Sequence, residues 1–115
     1  MPTVIYGIKN CDTVKKALKW LEAEGIAHQY HDFRQNGLST SKLDTWLNVV
    51  GANDLINRRS TSWKQLSEKE REQIDAGDGK LLILGTPTLI KRPVLEHNGR
   101  IYCGFKPDLY SSIFN

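Results

Sequence analysis

The residue best suited to chemistry is a cysteine at the meeting point of two patterns. In Y-G-I-K-N-C-D-T-V-K-K-A, Tyr6 to Ala17, a strand-like run gives way to a helix-like run at Cys11. The thiolate is the nucleophilic form of cysteine, so the question is what around Cys11 favours the anion. Asn10 is placed to cap the helix, which puts Cys11 in the first turn, where unpaired backbone N–H groups and the positive end of the helix dipole favour a thiolate. Lys15, four residues on, shares the face of Cys11 and adds a full positive charge. The same features also suit a small residue filling a strand–helix corner, and the local pattern leaves both readings open.

The elements that must position Cys11 read in order. Thr3 to Ile8 is apolar and β-branched enough for a buried strand. Val14, Ala17, Leu18 and Leu21 form the stripe of an amphipathic helix that ends near Gly25. His28 to Arg34 alternates as a second strand, with Tyr30 and Asp32 on one face and Gln29, His31 and Phe33 on the other. That alternation points His28 and His31 to opposite faces and argues against a shared metal. Asn36-Gly37 marks a turn, and Ser39 caps a helix with Leu43, Trp46, Leu47 and Val50 inward, closed by Gly51. Residues 54–66 form a polar connector without a period, carrying the adjacent Arg58 and Arg59, whose default reading is solvated charge. Ser67 and Glu70 form a capping-box pattern for a helix to about Ala76. Leu81 to Leu84 suits a buried strand or a short helix equally, and Thr86-Pro87 opens a short helix through about Ile90. Pro93 then precedes a hairpin of Val94–His97 and Arg100–Cys103 around Asn98-Gly99, which pairs Val94 with Cys103. Pro107 to Phe114 is a closing helix with Leu109, Ile113 and Phe114 as its inward candidates. This order gives an α/β fold of thioredoxin-like plan: a mixed four-stranded sheet flanked by helices, with a helical insertion between the second strand and the hairpin.

Composition narrows the function classes. At 115 residues, 39% hydrophobic and 25% charged, the chain suits one globular domain over residues 1–115. No apolar run approaches the ~20 residues of a membrane span, and the N-terminus lacks a signal-peptide pattern. Two cysteines, Cys11 and Cys103, are too few for a disulfide scaffold and suit a reducing, cytoplasmic setting. A net charge of +3, with basic and acidic residues interleaved, does not argue for nucleic acid or a membrane surface as partner. A monomer is expected.

Cys11 at the first strand–helix junction, the arginine pair of the connector, I-K-R-P-V at 90–94 and G-F-K-P at 104–107 together resemble the arsenate reductase family of the thioredoxin superfamily. The small bacterial YffB-type glutathione-dependent thiol reductases are the nearest in pattern, and the Spx regulators that bind RNA polymerase are more distant. The resemblance spans essentially the whole chain. It implies that Cys11 is the catalytic nucleophile and that Asn10 and Lys15 support its thiolate. It implies further that Arg92, beside a cis Pro93, and one of Arg58 or Arg59 bind an oxyanion or glutathione. Lys106 stands where the family has a third arginine, and a lysine cannot make the planar two-point contact of a guanidinium. Relatives with a C-x-x-C pair carry a second cysteine where this chain has Val14, so the resolving thiol must be Cys103 or external glutathione. The pairing of Cys103 with Val94 suits a packing position better than a resolving one, so glutathione is expected as co-substrate, with no bound cofactor and no metal. The expected function is thiol oxidoreduction on a small anionic or disulfide substrate; arsenate reduction and redox-sensing regulation are the alternatives.

Overall fold

The computed structural model describes residues 3–9 and 11–115. Its elements are, in chain order, β1 (Val4–Gly7), α1 (Asp12–Ala23), β2 (Gln29–Asp32), α2 (Phe33–Asn36), α3 (Thr40–Val49), α4 (Ala52–Leu55), α5 (Thr61–Lys64), α6 (Glu68–Asp75), α7 (Lys80–Gly85), a 3-10 turn (Pro87–Leu89), β3 (Val94–His97), β4 (Arg100–Cys103) and α8 (Pro107–Phe114). They group into two compact units: the chain up to Asn36 together with Arg92–Asn115, and Gly37–Lys91.

The first unit holds a mixed sheet in the order β2-β1-β3-β4. β1 runs parallel to β2 and antiparallel to β3, and β3 and β4 form the expected hairpin with Val94 opposite Cys103. Asn98 and Gly99 both have positive φ, 51° and 77°, as a two-residue turn between right-twisted strands requires. Ile5 and Leu95 pack with Ala17 and Leu21 of α1 and Tyr110 of α8 in one fully buried cluster. Burying each large apolar side chain of this kind contributes roughly 1.5–3 kcal/mol. Tyr110 was not among the inward residues expected of α8; it is buried completely, while Leu109 and Ile113 pack beside it partly exposed.

The strand directions bring one end of this sheet together. The register places the C-terminal ends of β1, β2 and β4 and the start of β3 at the same edge. Both α1 and α8 begin there. Residues that follow β1, precede β3 or follow β4 are therefore neighbours in the fold although far apart in sequence.

The second strand is shorter than the alternation suggested. It stops at Asp32 because the Asp32 carboxylate accepts the backbone N–H groups of Arg34 (2.7 Å) and Gln35 (3.2 Å) and turns the chain into α2. Phe33 thus leaves the strand pattern and is buried in the helical turn.

The second unit is the helical insertion. Ser39 caps α3 by accepting the Lys42 N–H, and Leu43 and Trp46 are buried. The Ser67–Glu70 capping box is formed in both directions. Leu81 to Leu84 is helical, and Leu81 is 80% exposed rather than buried. The connector is not irregular throughout: α4 and α5 are single turns, the latter capped by Ser60. An isolated bridge between Ile56 and Ile90 ties its flanks.

Candidate active site

Cys11 occupies the N-cap of α1, one residue outside the first turn expected for it. Its carbonyl accepts the Lys15 N–H at 3.0 Å, the first bond of the helix, and its own φ and ψ are extended. The Cys11 side chain makes no capping hydrogen bond, so the sulfur sits beside backbone donors without an intrahelical partner. Asn10, expected at that N-cap, lies outside the described residues. Cys11 is a free, partly exposed thiol. Lys15 is exposed and, among the described residues, makes no ion pair.

The approach of α1 to the sheet is set by Gly7. A Cβ there would stand 2.6 Å from Val14 Cγ2. Absence of a side chain lets the first turn of the helix rest on the end of β1. Val14, at the C-x-x-C position, is buried in that contact.

Arg92 and Pro93 lead into β3 at the same sheet end, joined by a cis peptide bond. The Pro93 carbonyl accepts the Gly104 N–H at 2.9 Å. Arg92 is half-buried, and its Nε and Nη1 are fully buried with no hydrogen-bond partner among the described residues. Lys106 is the exposed N-cap of α8, which also begins at this end without a side-chain cap. Cys11, Arg92, Pro93 and Lys106 are thus brought to one edge of one sheet.

Arg58 and Arg59 belong to the second unit. The Arg58 guanidinium is committed to the Asp75 carboxylate and to Asn53. Arg59 is exposed and its guanidinium has no partner among the described residues.

Two residues at the sheet end carry a signal that their sequence did not. Asp32 is 4% exposed and accepts, besides Arg34 and Gln35, the Tyr30 hydroxyl at 3.3 Å. Burial pushes its pKa up, but the hydrogen bonds from Arg34, Gln35 and Tyr30 outweigh it and hold the carboxyl below its ordinary value. Tyr30 is pushed up to about 12 by burial, by the Asp32 carboxylate and its hydrogen bond, and by the charge on Cys11. The strand alternation had put Tyr30 and Asp32 on one face, but a face gives no partner; only the pairing of Gly7 with Asp32 sets the carboxylate at this end of the sheet. Among the described residues no cluster of three or more His, Cys, Asp or Glu is arranged to hold a metal, and no helix is long and apolar enough to cross a membrane.

A mixed four-stranded sheet of thioredoxin-like plan, with a cysteine at the start of its first helix and a proline in cis at the head of β3, defines the class. The ArsC family profile matches residues 6–113, and the chain belongs to that family. A protein of Haemophilus influenzae is 42% identical over 110 residues, 96% of each chain. The solved structure of an arsenate reductase related protein from Brucella melitensis is 44% identical, with a TM-score of 0.80 over 100% of this chain and 96% of that one. The YFFB protein structure superposes with a TM-score of 0.90 at 39% identity, over 98% and 99% of the two chains. A more distant similarity reaches the global transcriptional regulator Spx of Streptococcus mutans, 28% identical over 86% of this chain and 73% of that protein.

Proposed function

We propose that the protein is a glutathione-dependent thiol–disulfide oxidoreductase with Cys11 as its nucleophile. One observation carries this reading: the Arg92 guanidinium has two buried nitrogens without partners among the described residues, at the sheet edge where a free cysteine stands at the N-cap position of α1. A buried charged donor left unpaired is costly, and a glutathione carboxylate relieves that cost with charge-assisted hydrogen bonds. Lys106 supplies a second positive charge at the start of α8.

The chemistry follows from the donors present. The Cys11 thiolate attacks the glutathione sulfur of a mixed disulfide; a Cys11–glutathione bond forms as the substrate disulfide breaks, and the substrate thiolate leaves and takes a proton. A second glutathione, as thiolate, attacks the glutathione sulfur on Cys11. Oxidised glutathione leaves, Cys11 is regenerated, and the electron pair gained by the substrate has come from glutathione. Val14 supplies no thiol, which favours an external resolving partner. Arsenate is the weaker candidate, because a tetrahedral oxyanion gains most from several planar donors and Lys106 replaces one of them.

Mass spectrometry of the protein incubated with oxidised glutathione tests the reading. Wild type and Cys103→Ser should each take one adduct that reduced glutathione removes, and Cys11→Ser should take none. An adduct that accumulates in Cys103→Ser but clears in wild type would make Cys103 the resolving thiol. Absence of any adduct on Cys11 would end the proposal.

A further inference from the structure

We propose that the cleft between β4 and α8 binds a small organic carboxylate that carries an apolar group. The cleft lies at the sheet end opposite Cys11, and the inference does not depend on the thiol chemistry.

The β3–β4 hairpin lines this cleft with His97, Arg100 and Tyr102, and α8 lines it with Leu109, Ser112 and Ile113. Its volume of about 560 Å3 falls within the ~300–1,000 Å3 of small-molecule sites. Arg100 pairs directly with His97, and Tyr102 with Leu95, so all four side chains stand on one face of the hairpin, the face that packs against α8. β4 is the last strand of the sheet, so no further strand closes the outer side.

The walls are preformed. Tyr102, Leu109 and Ile113 pack against the fully buried cluster that holds Ile5, Leu95 and Tyr110. His97 is held by three contacts: Nδ1 lies 2.8 Å from the hydroxyl of the buried Thr3, Nε2 lies 3.2 Å from the Asn98 amide nitrogen, and the ring centre lies 4.6 Å from that of Phe114. Both ring nitrogens are therefore occupied, and His97 serves as floor. Ser112 spends its proton on the Leu109 carbonyl at 2.7 Å.

Two donors remain unspent. The Arg100 guanidinium and the Tyr102 hydroxyl have no hydrogen-bond or ion-pair partner among the described residues. No residue lining the cleft is acidic, so an anion entering it meets no like charge. The guanidinium fork matches the two oxygens of a carboxylate, and a phenol on the same strand face adds a further donor. Leu109 and Ile113 stand on the other wall, where a bare inorganic anion would leave them in water and a hydrocarbon substituent would cover them. The ligand chemistry is thus an amphipathic anion, with its carboxylate on Arg100 and its hydrocarbon on α8.

Phenylacetate is the probe, titrated into the isotope-labelled full chain and followed by NMR. Phenylacetamide serves as its neutral isostere, and inorganic phosphate as an anion without an apolar part. Phenylacetate should shift the amides of residues 97–102 and 109–113 to saturation, with a Kd on the order of 1 mM. Phenylacetamide, which keeps the ring and loses the charge, should bind about tenfold more weakly. Arg100→Gln should raise the Kd by about tenfold, and Tyr102→Phe by about threefold. Arg100 is exposed and phenylalanine keeps the Tyr102 ring, so both variants should fold as the parent does. Parental affinity in Arg100→Gln would overturn the proposal, and equal binding of phosphate would overturn the amphipathic class. Shifts at residues 91–92 and 104–106 alone would put the carboxylate at Arg92 and overturn the cleft as its site, as would shifts that never saturate.

Discussion

Arg58 and Arg92 are the same side chain in opposite circumstances. In the helical unit, Arg58 donates to Asp75 and to both oxygens of Asn53, and its guanidinium lies 5.2 Å from the centre of the Trp63 ring. In the sheet unit, Arg92 buries Nε and Nη1 and gives them to nothing among the described residues. A guanidinium whose donors are spent inside the protein has little left for a ligand. One whose donors are buried and unspent gains most from an incoming anion, because its desolvation has already been borne by folding. Charge and motif did not separate the two; their partners do.

The largest effect should come from the unsatisfied arginine. Arg92→Ala should weaken the glutathione-dependent step by about 1.5–3 kcal/mol, the range for hydrogen bonds to a charged group, measured as kcat/KM for glutathione. Folding stability should hold or rise, since an unpaired buried charge is removed. An equal loss of activity in Arg58→Ala would dissolve the contrast between them.

A pair of glycines sharpens it. A Cβ at Gly7 would meet Val14 Cγ2 at 2.6 Å, and one at Gly79 would meet Ile74 Cγ1 at 2.4 Å and the Ile74 Cα at 2.7 Å. Both alanine variants should lose roughly 1–3 kcal/mol of stability as overpacked sites, with Gly79→Ala the worse because backbone yields less readily than a side chain. Only Gly7→Ala should also slow alkylation of Cys11 by iodoacetamide, since only that contact sets α1 against β1. Slowing by Gly79→Ala instead would place control of the thiol in the helical unit.

Much of this was legible in the sequence, for identifiable reasons. The hairpin, the Ser67–Glu70 box and the closing helix are written in local chemistry, and local chemistry decided them. The start of α1 was displaced by one residue, the usual uncertainty of a boundary without a long-range constraint. In the connector, α4 and α5 are single turns of four residues, too short for an apolar period to declare itself. At the candidate site, Cys11, Arg92 and Lys106 were visible as residue types with motif context. Asp32 was not, because its place at the end of β1 is defined only once β1 and β2 are paired in register.

The smallest effect belongs to Arg58 itself. Its pair with Asp75 is 35% and 50% exposed on the two side chains, so water screens it and the expected contribution is about 0.2–1 kcal/mol. The contact with Trp63 adds about 0.5–1 kcal/mol at an exposed site. Arg58→Ala should therefore shift the urea midpoint slightly, part of that shift should vanish at high salt, and glutathione adduct formation on Cys11 should keep its rate. A double-mutant cycle with Asp75→Ala should return a coupling under about 1 kcal/mol. A coupling of several kcal/mol would mean that the pair is a buried structural element. A slowed Cys11 with normal stability would mean that Arg58, despite its partners, serves the thiol, and the distinction drawn from spent and unspent donors would fail.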